Sequence, residues 1–261
     1  MRTIYQTITF PKSRVATLDI CDIGIRKHYI SSFIEIDVTE ARKKLKMERL
    51  KGIKCSFTAF LISKIAQTLH DHPSMCAYLK NKREILQFED INISVIIEKN
   101  IGDTKVPIPY IIEKAQEKSV EQITLEIEHV KNKVLDDHEI LLHRKTNFGE
   151  RIYPYFPKWV RVLFWKFMLK NPKWAYSNMG NVAFTSLGMA GSVTGWFAPI
   201  TIHPICFGAG SIVVKPRFIN RLTEPREILH LTILMNHDIV DGAPMARFIN
   251  QLIKKIEKGD F

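Results

Sequence analysis

The chain has 261 residues, 46% hydrophobic and 25% charged, with 12 glycines and 12 prolines. That composition supports a sizeable core and excludes a disordered or low-complexity polymer. Lysine and arginine exceed aspartate and glutamate by 38 to 27, a formal charge of +11 that favours anionic partners. The basic residues are scattered, and neither a zinc-finger spacing nor an RRM-type aromatic signature occurs, so nucleic acid is not an expected partner. Met1–Phe10 lacks the apolar core of a signal peptide, and nowhere do about 18 uncharged apolar residues follow one another. The expectation is a cytoplasmic protein that spans no membrane. Cys21, Cys55, Cys76 and Cys206 are far apart, with no Cys-x-x-Cys pair, and are expected to be free thiols in a reducing compartment.

In chain order, residues 31–39 alternate Phe33, Glu35 and Asp37 against Ile34, Ile36 and Val38, the pattern of a half-buried strand. Thr39-Glu40-Ala41-Arg42 opens a charged helix. Ser56 then precedes Phe57, Phe60, Leu61, Ile65 and Leu69 at helical spacing, which predicts a core-facing amphipathic helix ending near Pro73. The β-branched run 91–98 predicts a strand, and 105–112 a second one, at a sheet edge because Pro107 and Pro109 cannot donate to a ladder. Residues 119–142 read as a long helix. Aromatics crowd the segment 151–176, where Trp159, Phe164, Trp165, Phe167 and Trp174 interleave with Lys158, Arg161, Lys166, Lys170 and Lys173. Beyond it, 181–187, 205–215 and 228–236 read as strands, and 244–258 as a helix carrying Met245, Phe248, Leu252 and Ile256 on one face. No linker or internal repeat divides the chain, so a single α/β domain over 1–261 is expected.

Nucleophile elbow, Walker loop, dinucleotide fingerprint and His-Glu-x-x-His helix are all absent from the sequence. The chemistry-bearing segment is His237-Asp238-Ile239-Val240-Asp241-Gly242, a histidine at the end of an apolar strand, then a turn and a helix. An imidazole held at a strand end can take a proton from a thiol or hydroxyl as that group attacks a carbonyl. The same pattern also suits a satisfied structural histidine. Gly242 is expected to ease the turn, and Asp241 to cap the helix or pair with an arginine.

This segment and its continuation to Phe248 resemble the His-x-x-x-Asp-Gly motif of two related families: the catalytic domain of the acyltransferase component of 2-oxo-acid dehydrogenase complexes, and chloramphenicol acetyltransferase. Three further stretches agree in order. They are Ile34-Glu35-Ile36-Asp37-Val38-Thr39 (the first core strand), Ser56-Phe57-Thr58-Ala59-Phe60-Leu61 (the next helix start), and residues 180–191, similar to Gly-Thr-Phe-Thr-Ile-Ser-Asn-Leu-Gly. The resemblance covers residues 14–258. It implies a chloramphenicol-acetyltransferase-like two-layer α/β sandwich with a mixed sheet, assembled as a homotrimer or larger cage with active sites between subunits.

It implies also a CoA-dependent acyltransferase in which His237 is the general base and a hydroxyl steadies the oxyanion. Gapless placement of Gly180 and Gly191 puts Thr185 at the hydroxyl position, with Ser186 one residue away. The family's pairing of the motif aspartate with an N-terminal arginine points to Arg14, with Arg26 as runner-up. CoA is then a substrate, no metal is called for, and a lipoyl group enters only on a partner, because no lipoyl or partner-binding module is recognised. The alternatives left open are a non-catalytic trimeric scaffold and an antibiotic O-acetyltransferase. The family's Asn-Pro-Pro stretch is replaced here by Ile202-His203-Pro204-Ile205, where His203 reads as structural. Segment 151–170 has no aligned counterpart. It is expected to bury against a neighbouring subunit or, second, to make a peripheral membrane contact.

Overall fold

In a computed structural model of the chain, residues 5–7, 10, 14–101, 104–132, 152–187 and 194–260 are described. The helices are α1 (Arg14–Gly24), α2 (Thr39–Leu50), α3 (Phe57–Asp71), α4 (Val120–Asn132), α5 (Lys158–Lys170), α6 (Pro172–Met179) and α7 (Gly242–Lys258). The strands are β1 (Tyr29–Asp37), β2 (Tyr78–Asn81), β3 (Glu84–Leu86), β4 (Ile93–Ile101), β5 (Thr104–Ile112), β6 (Val182–Ser186), β7 (Ile205–Ile219) and β8 (Leu222–Asn236). Six of them form one mixed sheet in the order β1-β8-β7-β6-β4-β5, with β4–β6 and β6–β7 parallel; β2 and β3 form a separate hairpin.

The core explains the layering. Alternate residues of the central strands, Val182 and Phe184, Ile205, Phe207 and Ala209, Leu229, Leu231, Ile233 and Met235, share one buried cluster with Phe60, Ile65 and Leu69 of α3 and with Phe248, Leu252 and Ile256 of α7. A strand's period of two sends the intervening residues to the other face. Helices and sheet thus make the expected two-layer α/β sandwich. The Ser56 hydroxyl accepts from the Ala59 amide at 3.1 Å, so α3 starts where its cap predicts. Strand β5 lies at the sheet edge. Its Pro107 and Pro109 are two residues apart, so both missing donors fall on one side of the strand, the side an edge turns to solvent.

Three parts of the fold differ from the sequence reading. Helix α1 and the β2–β3 hairpin were not foreseen. The long helix over 119–142 is observed as α4, and residues 133–142 lie outside the described ones. Strands β7 and β8 run past the expected ends at 215 and 228, because Pro216 and Pro225 sit opposite each other and confine both lost donors to one rung.

From Lys158 to Met179 the chain forms α5 and α6, separated at Asn171-Pro172, where the Asn171 side chain caps α6 through the Trp174 amide. This segment docks on α1. Asp19, fully buried, accepts from Arg161 Nε at 2.7 Å and from the Tyr153 hydroxyl at 2.7 Å, and Trp165 Nε1 donates to that hydroxyl at 2.7 Å. Met168, Ala175, Met179 and Ile202 form a satellite core with Ile20, Ile23 and Trp165.

The β7–β8 turn is made by Asn220 and Arg221, both left-handed at φ 48° and 69°. Two consecutive residues of that kind suit the right-handed twist of a hairpin, but a side chain such as arginine is costly there. Arg221→Gly is expected to raise stability by about 1 kcal/mol, read as a higher urea midpoint at unchanged slope.

Candidate active site

His237 follows the last rung of β8. Its amide donates to the His28 carbonyl at 2.8 Å and the Asn236 amide to the Pro204 carbonyl at 3.1 Å, so the backbone carrying the imidazole is tied on both sides. The next residue, Asp238, accepts from or is charge-paired with His28 Nδ1 at 2.8 Å, and its amide donates to Asn236 Oδ1 at 3.1 Å. The His237 ring is 47% exposed, and its Nδ1 stands 3.8 Å from Asp241 Oδ1. That arrangement leaves Nε2 as the nitrogen available to a substrate.

Asp241 and Gly242 behave differently from expectation. Asp241 occupies the N-cap of α7, yet its side chain makes no capping bond and is 91% exposed. Gly242 has ordinary backbone geometry and open space around its α-carbon, so no steric demand within the chain requires a glycine there. The Asp241–Arg14 pair is not among the ion pairs of the described residues: Arg14 is exposed at the start of α1, and the ionic neighbour of Asp241 is His237. Arg26 makes no ion pair with Asp241 either, among the described residues.

Thr185 and Ser186 end β6 and, being adjacent in a strand, point to opposite faces. The start of β6 is fixed by Gly180, whose φ of +70° and close approach leave no room for a side chain: a β-carbon would lie 2.3 Å from the Asn92 carbonyl oxygen. Buried Asn181 completes the junction, its side chain accepting from the Asn92 amide at 2.9 Å and donating to the Asp90 carbonyl at 3.2 Å. Thr185 faces away from the helices, in the row Thr185–Gly208–Thr232. Ser186 lines a cavity of about 970 Å³ at the end of the sheet, between Phe57 and Leu61 of the helix layer and Trp196 and Phe197 from the loop over the opposite face, with Arg42, Lys43, Lys46 and Arg49 of α2 at its wall.

His237 lies five residues beyond Thr232 along β8 and two strands from Thr185. At ordinary strand dimensions the two are separated by roughly 16 Å along the sheet and roughly 10 Å across it. One chain therefore does not bring the expected base and hydroxyl together: it carries them as two half-sites at opposite ends of the sheet.

Behind His237 lies a group that the sequence reading missed. Lys27 Nζ donates to the Ile202 carbonyl at 2.6 Å and Tyr29 to the His203 carbonyl at 2.6 Å. Burial pulls the Lys27 ammonium down to about 8, against the opposing pull of Asp238. In the sequence Asp238 is only a member of the motif, and no local pattern links it to residues 27–29; the β1–β8 register does so. His203 is structural. Its Nε2 bonds the Met179 carbonyl at 2.9 Å, leaving Nδ1 to accept from Thr201 Oγ1 at 3.2 Å. Cys55, Cys76 and Cys206 are buried free thiols, Cys76 and Cys206 pushed up to about 12 by burial, and Cys21 is partly exposed.

A mixed six-stranded sheet with helices on one face and a strand-end histidine ahead of an Asp-Gly helix start defines an acyltransferase-type fold. Chloramphenicol acetyltransferase superposes with a TM-score of 0.52 at 11% identity, covering 96% of this chain and 97% of that one. A probable dihydrolipoamide acetyltransferase from Listeria monocytogenes superposes with a TM-score of 0.70 at 20% identity, covering 98% and 96%. The model of the 2-oxoacid dehydrogenases acyltransferase (catalytic domain) family matches residues 28–139 and 170–260, and the chain belongs to that family. Among curated proteins, the dihydrolipoyllysine-residue acetyltransferase component of the pyruvate dehydrogenase complex of Mycoplasma genitalium is 26% identical over 210 residues, 79% of this chain and 44% of that protein. The chain spans about half the length of the curated relatives it matches.

Burial, with the Lys27 charge adding to it, holds the His203 imidazole down at about 4 against an ordinary 6.5. Between these values the unfolded chain binds a proton that the folded chain refuses, so this contribution is full above pH 6.5 and is lost as pH falls towards 4. Urea unfolding is expected to show about 2–3 kcal/mol of acid destabilisation across that window that His203→Gln abolishes.

Proposed function

We propose that this chain transfers an acyl group between CoA and a dihydrolipoyl-type thiol, with each active site completed by two subunits of a trimer. What carries the reading is the division of the site: a family member holds a base and a hydroxyl at opposite ends of one sheet, and a neighbouring copy supplies the missing half to each. His237 Nε2 takes the proton of the attacking thiol. The sulfur forms a bond to the thioester carbonyl carbon, and the carbonyl oxygen becomes an oxyanion that accepts a hydrogen bond from Thr185. Collapse breaks the original C–S bond, and the departing thiolate recovers the proton from His237. The protein forms no bond to the acyl group. Asp241, 3.8 Å from Nδ1, is assigned to steadying the imidazolium. The lipoyl group is assigned to a partner or a separate module, and a trimer or larger cage to the assembly.

Purified protein with acetyl-CoA and dihydrolipoamide is expected to yield acyl-dihydrolipoamide, followed by mass spectrometry. His237→Ala should lower kcat by about 10²–10⁴-fold and Thr185→Ala by about 10²–10³-fold, whereas Ser186→Ala, on the other face of β6, should leave it within about twofold. Refolding the two inactive variants together at equal ratio should restore about a quarter of wild-type activity, the random share of sites pairing an intact His237 with an intact Thr185. Activity that never returns in any mixture would remove the shared site; no product from the wild type would remove the acceptor.

A further inference from the structure

The family match breaks at residues 140–169, and α5 lies in the break. One side of α5 is fastened by the Asp19–Arg161 pair and by Trp165, Met168 and Leu169. The other is bare. Trp159, Leu163 and Phe167, spaced by four residues and so stacked on one stripe, are 70%, 60% and 66% exposed. Exposed Lys166 and Lys170 run along the edge of the stripe, with Lys173 just beyond, and none of these three makes an ion pair among the described residues. The nearby carboxylates are already engaged: Asp19 with Arg161, and Asp22 with Lys158 at 2.6 Å. The sequence holds no aspartate or glutamate between Glu150 and Glu224, against nine lysines and arginines.

We propose that α5 is a docking surface for an anionic lipid bilayer. An apolar stripe edged by lysines matches, group for group, an interface in which acyl chains lie beneath phosphate headgroups: Trp159, Leu163 and Phe167 enter the boundary, and the lysine stems reach back to the phosphates. A two-fold contact between copies would set Lys166 and Lys170 against their own counterparts with no acid at hand. Thirteen residues of helix reach only about 20 Å, so α5 lies in the interface and does not cross it. The buried side stays anchored, so the helix meets the bilayer already formed.

Co-sedimentation of the full chain with phosphatidylcholine vesicles, with and without about one third phosphatidylglycerol, tests this. Binding is expected to the anionic vesicles alone and to weaken with salt. Lys166→Glu with Lys170→Glu and Lys173→Glu should weaken it on the order of a hundredfold, and Trp159→Ser with Leu163→Ser and Phe167→Ser should abolish it. Both variants should keep wild-type acyl transfer in solution, so failure here and failure of the proposed chemistry read out separately. No binding by wild type, equal binding to neutral vesicles, or undiminished binding by the serine variant each overturns the proposal. So does a serine variant whose mass falls in vesicle-free light scattering, which would assign the stripe to a subunit contact.

Discussion

The pairing of β1 with β8 is the constraint on which the site depends. Nine rungs, from Tyr29 opposite Asn236 to Asp37 opposite Ile228, join segments some two hundred residues apart in sequence. A one-residue slip would turn Leu229, Leu231, Ile233 and Met235 out of the core and His230 and Thr232 into it, so the burial of that apolar set fixes the register. The same register sets His28 beside His237 and Asp238. The backbone of the catalytic candidate is thereby held by a carbonyl from the far end of the chain. Position comes from hydrophobic alternation, and chemistry is laid over it.

From this follows the division of the site. A strand that ends in a base cannot also carry the hydroxyl that the base must meet, unless a loop folds back over the sheet. Here the segment after β6 leads instead to residues 194–203 over the sheet face, where Phe197 and Pro199 pack on Gly208, and the α1 terminus packs on Thr201 through Gly24. That space is taken by the chain itself. The half-exposed His237 at one end and Thr185 at the other are consistent with a site that closes only between copies, and the openness of a lone chain is what such a division costs.

The sequence made the layers legible because their signals are local. Alternation marked β1, a short apolar run marked β6, helical spacing marked α3 and α7, the cap at Ser56 set a boundary, and two prolines placed β5 at the edge. The hairpin of β7 and β8 was read short because only its apolar runs, 205–215 and 228–236, carry a strand signal; the pairing of the polar ends shows that the ladder runs through. Helix α1 escaped notice because what secures it is Asp19, a charge that a sequence reading assigns to the surface. The His237 motif and the hydroxyl position at Thr185 were assigned through resemblance. The bond network of Lys27, His28 and Asp238 was not, since it exists only once β1 lies beside β8.

Aromatic density in segment 151–170 favoured burial against a neighbouring subunit, with membrane contact second, because hydrophobicity alone does not say which side of a helix faces inward. Asp19 settles it. Once a buried carboxylate selects Arg161, the opposite side of α5 must carry Trp159, Leu163 and Phe167, and a pair taken out of water is strong enough in its geometry to specify one rotation of the helix over another. An apolar alternative at Asp19 could pack as well, but would leave the helix free to roll its aromatics inward. Retaining an ion pair where a hydrophobic contact would serve is thus the physical means by which this insertion keeps an apolar surface outside the protein.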